Sequence, residues 1–176
     1  AVQKEESAPA VPVRENEIAI NRTAQNTNYF CIPMPESVKA EEVVLENHYM
    51  DKELWVSISS EQMKDCEAFY ETNSVYGNSE NVADGRFEVE KERICLRFAL
   101  DGVYEYRSIF EDHILYVEFV PSKEVYEKII VIDPAYGGEE QGVAVESVSS
   151  KDITLGVAKA LKTMFDESDI KVYYTR

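Results

Sequence analysis

The chain has 176 residues, of which 44% are hydrophobic, enough to bury a core and too many for a disordered protein. Its 18 basic and 34 acidic residues give a formal net charge of −16, so nucleic acids and anionic membranes are poor candidates as partners, because these polyanions would repel it. No stretch approaches the roughly 20 apolar residues that a membrane-spanning helix requires.

The opening segment, residues 1–16, mixes Ala, Pro, Val and charged residues without helical or strand periodicity, which predicts a flexible tether. Such a tether often follows a removed signal peptide, so we expect a secreted protein, extracellular or in the cell envelope. The cysteines, Cys31, Cys66 and Cys95, lack metal-type spacing, and their odd number excludes a complete set of intrachain disulfides. Cys95 has apolar neighbours in RICLRF and is predicted to be a buried strand thiol.

Residues 17–122 have a period of two, which predicts a mostly antiparallel β domain. In ELWVSIS, Leu54, Val56 and Ile58 share one face, and Trp55 lies on the other. In RFEVEKERICLRFAL the alternating apolar positions are Val89, Ile94, Leu96 and Phe98.

One helix and two turns are expected within this domain. SEQMKDCEAFY, residues 60–70, predicts a short helix capped by Ser59 or Ser60. Asp84-Gly85 and Asp101-Gly102 are typical turn dipeptides between strands.

Residues 127–176 predict a strand–helix–strand unit, joined to the β domain near residues 122–127. KIIVID is apolar without alternation, which is typical of a strand buried on both faces. The helix begins after Ser149, which forms a capping box with Asp152, and KVYYTR is the second strand. The predicted apolar stripe of the helix consists of Ile153, Val157, Ala160, Leu161, Met164 and Phe165. Such a βαβ unit should be parallel and right-handed, and the whole chain is predicted to be α+β.

The loop DPAYGGEEQG between this strand and helix is the candidate functional site. Glycines at 137, 138 and 142 would expose backbone amides that favour a phosphate. However, Glu139 and Glu140 oppose an anion, the loop has no Lys, and the G-x-G-x-x-G spacing is absent. We therefore favour glycines that keep the loop tight over a phosphate cradle.

KIIVIDPAYGGEEQG, followed by SSKDITLGVAKALKTMFDESDIKVYYTR, resembles the start of the zinc-dependent N-acetylmuramoyl-L-alanine amidases of bacterial cell walls. In that family the first strand ends in Asp-Pro-Gly-His-Gly-Gly. The helix opens with Glu-Lys-Asp before an Ile-x-Leu run, and the second strand ends in Thr-Arg. The resemblance implies the beginning of an amidase-like α/β domain at residues 127–176. The β domain before it, by strand pattern and position alone, is similar to the accessory N-terminal domain taken to target such enzymes to the envelope.

Two positions depart from the family pattern. Tyr136 stands where the family has its first zinc ligand, a His, and Ser150 stands where it has the second, a Glu. Zinc is held by thiolate, imidazole or carboxylate, so we assign no metal ligand and no catalytic residue, and expect no cofactor in this chain. Tyr136 could instead stack on a glycan, and Glu146 could swing in as a carboxylate, but a Tyr packed at the mouth of the loop is the simpler interpretation. The retained loop frame consists of Asp133, Pro134, Gly137 and Gly138.

Three other residues receive simpler roles. Asp133 is expected to bond backbone amides of the turn, as Asp before Pro commonly does. Both histidines, His48 and His113, lie in the β domain and match no motif, and His113 is expected in a hairpin.

Two functions follow from the resemblance. One is a secreted cell-wall amidase, truncated or inactive as given, whose complete fold would polarise a zinc-bound water to cut the bond between N-acetylmuramic acid and L-alanine. The other is a non-catalytic envelope protein that binds peptidoglycan, another wall polymer or a protein partner through its β domain. The loss of both ligand types favours the second.

The C-terminal unit should expose more apolar surface than its single helix covers. Ile130, Ile132, Val172 and Tyr174 cannot all face that helix, and parallel strands are normally covered on both faces. The β domain packing back, a second copy of the chain or further C-terminal sequence would supply the cover. Because the linker is short, we favour a homodimer or a longer parent protein.

Overall fold

The computed structural model describes residues 16–23, 27–59, 63–90 and 93–176. Of the tether predicted for residues 1–16, all but Asn16 lies outside the described residues. The fold is mainly β with some helix, which is compatible with the expected α+β class.

Two antiparallel sheets build the β domain. In chain order its strands are β1 (Ala19–Asn21), β2 (Phe30–Pro33), β3 (Val43–His48), β4 (Glu53–Ile58), β5 (Ser74–Gly77), β6 (Val82–Glu90), β7 (Arg93–Leu100), β8 (Tyr104–Glu111) and β9 (Ile114–Pro121). One sheet has the order β1-β5-β2-β9-β8 and the other the order β3-β4-β7-β6. Among the described strands of these sheets, β1 and β5 are the one pair that runs parallel. A 3-10 turn at Ala40–Glu42 precedes β3, and helix α1 (Met63–Thr72) follows β4.

The hydrophobic core lies between these sheets and confirms the period of two. Leu54, Val56 and Ile58 are buried, as are Ile94, Leu96 and Phe98 of β7. Phe30 and Phe98 meet edge to face with their ring centroids 5.1 Å apart. Val89 differs from the prediction: it is 42% exposed, whereas Phe87 on the same edge strand is buried.

Helix α1 and the cysteines contribute to the same core. Cys66 and Tyr70 of α1 are buried, and the Tyr70 hydroxyl donates to the Pro33 carbonyl oxygen. All three cysteines are buried and free, which confirms the buried thiol at Cys95. Residues 60–62, which include the start of the predicted helix and its candidate cap Ser60, lie outside the described residues.

Of the two predicted turn dipeptides, Asp101-Gly102 does lie between strands, whereas Asp84-Gly85 lies inside β6. A β-bulge interrupts β6 between Val82 and Asp84. A Cβ on Gly85 would lie 3.0 Å from the Phe98 ring, so this glycine permits close packing rather than a turn. His113 is confirmed in the β8–β9 hairpin, where it and Asp112 have φ values of 57° and 49°.

The C-terminal unit, residues 127–176, follows a short helix. Its elements in chain order, after α2 (Ser122–Val125), are β10 (Lys128–Ile132), β11 (Ala144–Val145), β12 (Val148–Ser149), α3 (Ser150–Phe165) and β13 (Ile170–Tyr174). β10 and β13 pair in parallel, as predicted. The Ser149 hydroxyl oxygen accepts a hydrogen bond from the Asp152 amide, which confirms the N-cap. The Asp152 carboxylate accepts a bond from the Ser149 hydroxyl.

The face that helix α3 packs on the sheet agrees with the prediction in part, because Leu161 and Phe165 of the predicted stripe lie on it. Ala158 is its buried residue, and Leu161 and Phe165 are half-buried beside it. The predicted positions Ile153, Val157 and Met164 are 57%, 55% and 72% exposed, and Ala160 is exposed as well. The helix carries apolar residues on two sides, and periodicity alone could not say which side packs.

Strand β10 is not buried on both faces, contrary to the prediction. Ile129, Ile130 and Val131 are 38%, 37% and 63% exposed. Within the described chain β10 pairs with β13 alone, and one helix covers one face of this two-stranded sheet.

The β domain packs against β13. This is one of the three ways, considered in the sequence analysis, in which the apolar surface of the C-terminal unit could be covered. Tyr49 and Tyr173 meet edge to face at 5.0 Å, and Lys171 forms a 2.8 Å ion pair with Glu105. The Tyr173 hydroxyl donates to Glu105 at 2.6 Å. Among the described residues, no helix is long and apolar enough to cross a membrane.

Candidate functional site in the loop after strand β10

The loop between β10 and β11 is held in a defined, partly left-handed conformation. Tyr136 has a φ of 65° and is followed by a tight turn in which Gly137 and Glu140 exchange backbone hydrogen bonds of 3.0 and 2.9 Å. Gly138 and Gly142 have φ values of 53° and 67°, which suit glycine. The glycines therefore shape a tight loop, as expected.

The end of β13 fixes the beginning of this loop. The Arg176 guanidinium donates to the carbonyl oxygens of Pro134 at 3.2 Å, Ala135 at 3.3 Å and Lys151 at 3.1 Å. Thr154 adds a 2.7 Å bond from its hydroxyl to the Ala135 oxygen. Loop, helix start and strand end are thereby joined into one frame.

Asp133 differs from its expected role. Its carboxylate accepts a hydrogen bond from the Thr175 hydroxyl, a residue at the end of the neighbouring strand, whereas a bond to amides of its own turn was expected. The carboxyl ends of parallel strands lie at the same edge of a sheet, which is why Asp133 meets Thr175. Because β10 and β13 were predicted to be parallel, this rule could have indicated from the sequence alone that the Asp-Pro segment lies beside the Thr-Arg segment.

Tyr136 and Ser150, the two positions that depart from the family pattern, converge on one glycine. A Cβ built on Gly142 would lie 2.8 Å from Ser150 Cβ and 2.9 Å from Tyr136 Cδ2. Both side chains thus contact Gly142, although 14 positions of sequence separate them. The fold brings together the two positions at which the resemblance implies ligands.

These two side chains do not fit a zinc ion. A neutral phenol and a hydroxyl are poor ligands for zinc, which takes thiolate, imidazole or carboxylate. The Ser150 hydroxyl also donates to the Val143 carbonyl oxygen at 3.1 Å, so it is already engaged. Across the described ranges, no group of three or more His, Cys, Asp or Glu side chains could hold a metal ion. The side chains at these two positions are therefore not the ligand types that the resemblance implies for zinc.

The remaining candidates lie away from Tyr136 and Ser150 or have other partners. Glu146 lies in the turn of the β11–β12 hairpin with a φ of 55°. Lys151, the Lys of the Glu-Lys-Asp pattern, was not among the candidate site residues; its ammonium group donates to the Gly138 oxygen at 3.1 Å. His48 and His113 lie in the β domain, the former stacked on Trp55.

A second candidate surface is the outer face of sheet β3-β4-β7-β6. Here Trp55 lies between His48, at a centroid distance of 3.7 Å, and the Arg97 guanidinium, 3.9 Å from the ring centroid. The Trp55 Nε1–H group donates to Glu53 at 2.7 Å, and Arg86 pairs with Glu53 at 2.8 Å. We call this group the Trp55 cluster. Its charges largely pair with one another, so the face is aromatic and hydrogen-bonding rather than strongly charged.

Neither a family model nor a curated protein matches the chain. The amidase resemblance therefore rests on the residues of the C-terminal unit.

Proposed function

We propose that this chain is a non-catalytic cell-envelope protein related to the N-acetylmuramoyl-L-alanine amidases, and that it binds peptidoglycan or another wall polymer instead of hydrolysing it. The observation that carries the proposal is the meeting of Tyr136 and Ser150 at Gly142. Residues 127–176 have the order strand, loop, helix, strand that the resemblance implies. Tyr136 and Ser150, the two side chains at the implied ligand positions, lack zinc-binding chemistry.

Polymer binding is assigned to the β domain. In its Trp55 cluster His48 and the Arg97 guanidinium cover the Trp55 ring, so the cluster offers the half-buried imidazole and polar donors, rather than a bare indole face, to sugar hydroxyl and amide groups. Residues 1–126 carry 12 basic and 25 acidic groups, so anionic teichoic polymers would be repelled. We therefore propose an uncharged part of the wall as the ligand.

Restoring the missing ligand types tests the proposal. We expect the double variant Tyr136→His with Ser150→Glu to bind zinc measurably in titration calorimetry, because both side chains would meet at Gly142. The wild-type chain should retain no stoichiometric zinc by elemental analysis after dialysis, and should release no peptide from muramyl-peptide substrates.

The matched control is the double variant Tyr136→Phe with Ser150→Gln, which has similar bulk and no zinc ligand. One tightly bound zinc per wild-type chain that is lost on Tyr136→Phe would overturn the non-catalytic assignment. Equal zinc binding by the two double variants would show that these positions do not form a ligand pair.

A further inference from the structure

Strand β10 has one edge that is free of backbone partners within the described chain. The Thr175 amide donates to the Ile132 oxygen, so the backbone groups of Ile132 point toward β13. Because successive residues alternate sides, those of Ile129 and Val131 point outward, away from β13. An apolar strand with an open edge is a template for a further strand.

The opposite edge of the sheet is occupied. The Tyr174 amide, on the outer side of β13, donates to the Tyr49 hydroxyl of the β domain at 3.1 Å. The neighbouring Tyr173 and Lys171 contact Glu105 of the same domain. A strand added to this sheet therefore has to approach β10.

Helix α3 carries its exposed stripe on the β10 side. We define the α3 stripe as Ile153, Val157, Ala160 and Met164. Lys162 lies about 180° around the helix from Ile153. It lines a cleft with Tyr49 and Tyr174, which places that side of the helix over β13. The α3 stripe consequently projects over the free edge.

We propose that this edge is an interface with a second copy of the chain, in which the two β10 strands pair antiparallel. The product is a four-stranded sheet of order β13-β10-β10-β13. A two-fold axis perpendicular to the sheet relates the copies, so both α3 helices lie on the same face. With strands about 4.8 Å apart, the two helix axes lie about 10 Å apart, which is a normal helix packing distance. One symmetric contact covers both the strand edge and the α3 stripe.

The occupant is a second copy because the α3 stripe is self-complementary. Its residues are spaced by four, three and four positions, so the stripe has the same spacing from either end and suits an antiparallel copy of itself. Gly156 and Ala160 keep the helix surface low there, which allows a close approach. The C-terminal unit is also the less acidic part, with 6 basic and 9 acidic groups in residues 127–176. Charge repulsion is therefore smaller between two C-terminal units than between two β domains.

Sedimentation equilibrium of the full chain over a range of concentrations tests the interface. We expect the wild type to sediment at twice the 20.1 kDa chain mass. Val157→Lys should be monomeric, because it places charge in the stripe at a side chain already 55% exposed. Val131→Pro should also be monomeric, because it removes an outward N–H that the β10–β13 ladder does not use. Val44→Lys, a control on the β domain at 52% exposure, should remain a dimer.

A monomeric wild type at every concentration would overturn the interface, as would a dimer that persists in Val157→Lys. Loss of the dimer in Val44→Lys to the same extent would place the contact elsewhere and equally reject it. If Val131→Pro disturbs β10 itself, Ala160→Cys provides the strand-independent measurement. The three native cysteines are buried, so a short bis-maleimide should cross-link two Ala160→Cys chains but not two Val44→Cys chains.

Discussion

Tyr173 joins strand β13 to the β domain through both its ring and its hydroxyl. The ring packs on Tyr49, and the hydroxyl bonds Glu105 and Ser122. Burial, and next the hydrogen bond to Glu105, raise the pKa of Tyr173 to about 12. The folded state therefore favours the neutral phenol, whose ordinary pKa is about 10. This contribution to stability is fully present below about pH 10 and is lost as the pH rises toward about 12.

The variant Tyr173→Phe tests this contact. We expect a loss of about 1 kcal/mol in the free energy of unfolding near pH 8, because the Tyr173–Glu105 hydrogen bond is removed. The fall in stability between about pH 10 and 12 should also become shallower than in the wild type. Urea unfolding at several pH values measures both effects. The exposed Tyr136→Phe is the control, and a Tyr173→Phe curve as steep as the wild type would contradict the assignment.

Among the elements, the loop after β10 depends on Gly142 for two separate reasons. Its φ of 67° disfavours any residue with a Cβ, and a Cβ there would collide with Ser150 and Tyr136. Gly138 has a similar φ of 53°, but a Cβ at that position would meet nothing within 4 Å. A comparison of substitutions at Gly138 and Gly142 therefore separates the cost of backbone strain from the cost of steric collision.

We expect Gly138→Ala to lower the free energy of unfolding by about 1 kcal/mol, the cost of the left-handed conformation alone. Gly142→Ala should cost about 2 to 3 kcal/mol, because Ser150 and the Tyr136 ring must also move. Thermal and urea unfolding of the two variants measure the difference. Equal losses would show that Tyr136 and Ser150 do not meet at Gly142, and would remove the main support for the proposed function.

At the scale of the whole molecule, the buried hydrophobic cluster of the described residues lies entirely in the β domain. It extends from Ile18 to Val117, with Phe30, Leu96 and Phe98 fully buried between the sheets. In the C-terminal unit, the buried apolar residues are Pro134, Ala158 and Tyr173. The β domain therefore holds its own core, whereas the C-terminal unit depends on its neighbours.

A fragment ending at Ser122 should accordingly fold alone, with cooperative thermal unfolding, whereas residues 127–176 alone should not.

The folded fragment should co-sediment with purified cell wall, and removal of anionic teichoic polymers should leave that binding intact. Trp55→Ala should weaken binding several-fold by removing the centre of the Trp55 cluster, and Val44→Ala is the matched control on the same sheet face. Wall binding that disappears with the teichoic polymers would contradict the proposed ligand class.

The sequence by itself determined the local features of this protein. Alternation placed Leu54, Val56 and Ile58 in the core, and the Ser149 cap and the parallel order of β10 and β13 followed from local signals. These features depend on residues close in sequence or on a period that one strand imposes.

Tertiary structure alone decided the rest. Asp84-Gly85 has turn chemistry but lies in a strand, because the Phe98 ring packs against that glycine. Helix α3 has two apolar sides, and only docking onto the sheet selects Ala158 and Leu161 over Ile153 and Val157. Likewise, β10 has the apolar composition of a strand that is buried on both faces, yet Ile129, Ile130 and Val131 are exposed. Composition does not determine which elements pack around a strand. The resemblance had already paired Tyr136 with Ser150, but their contact with Gly142 depends on loop closure between residues distant in sequence, which no local pattern encodes.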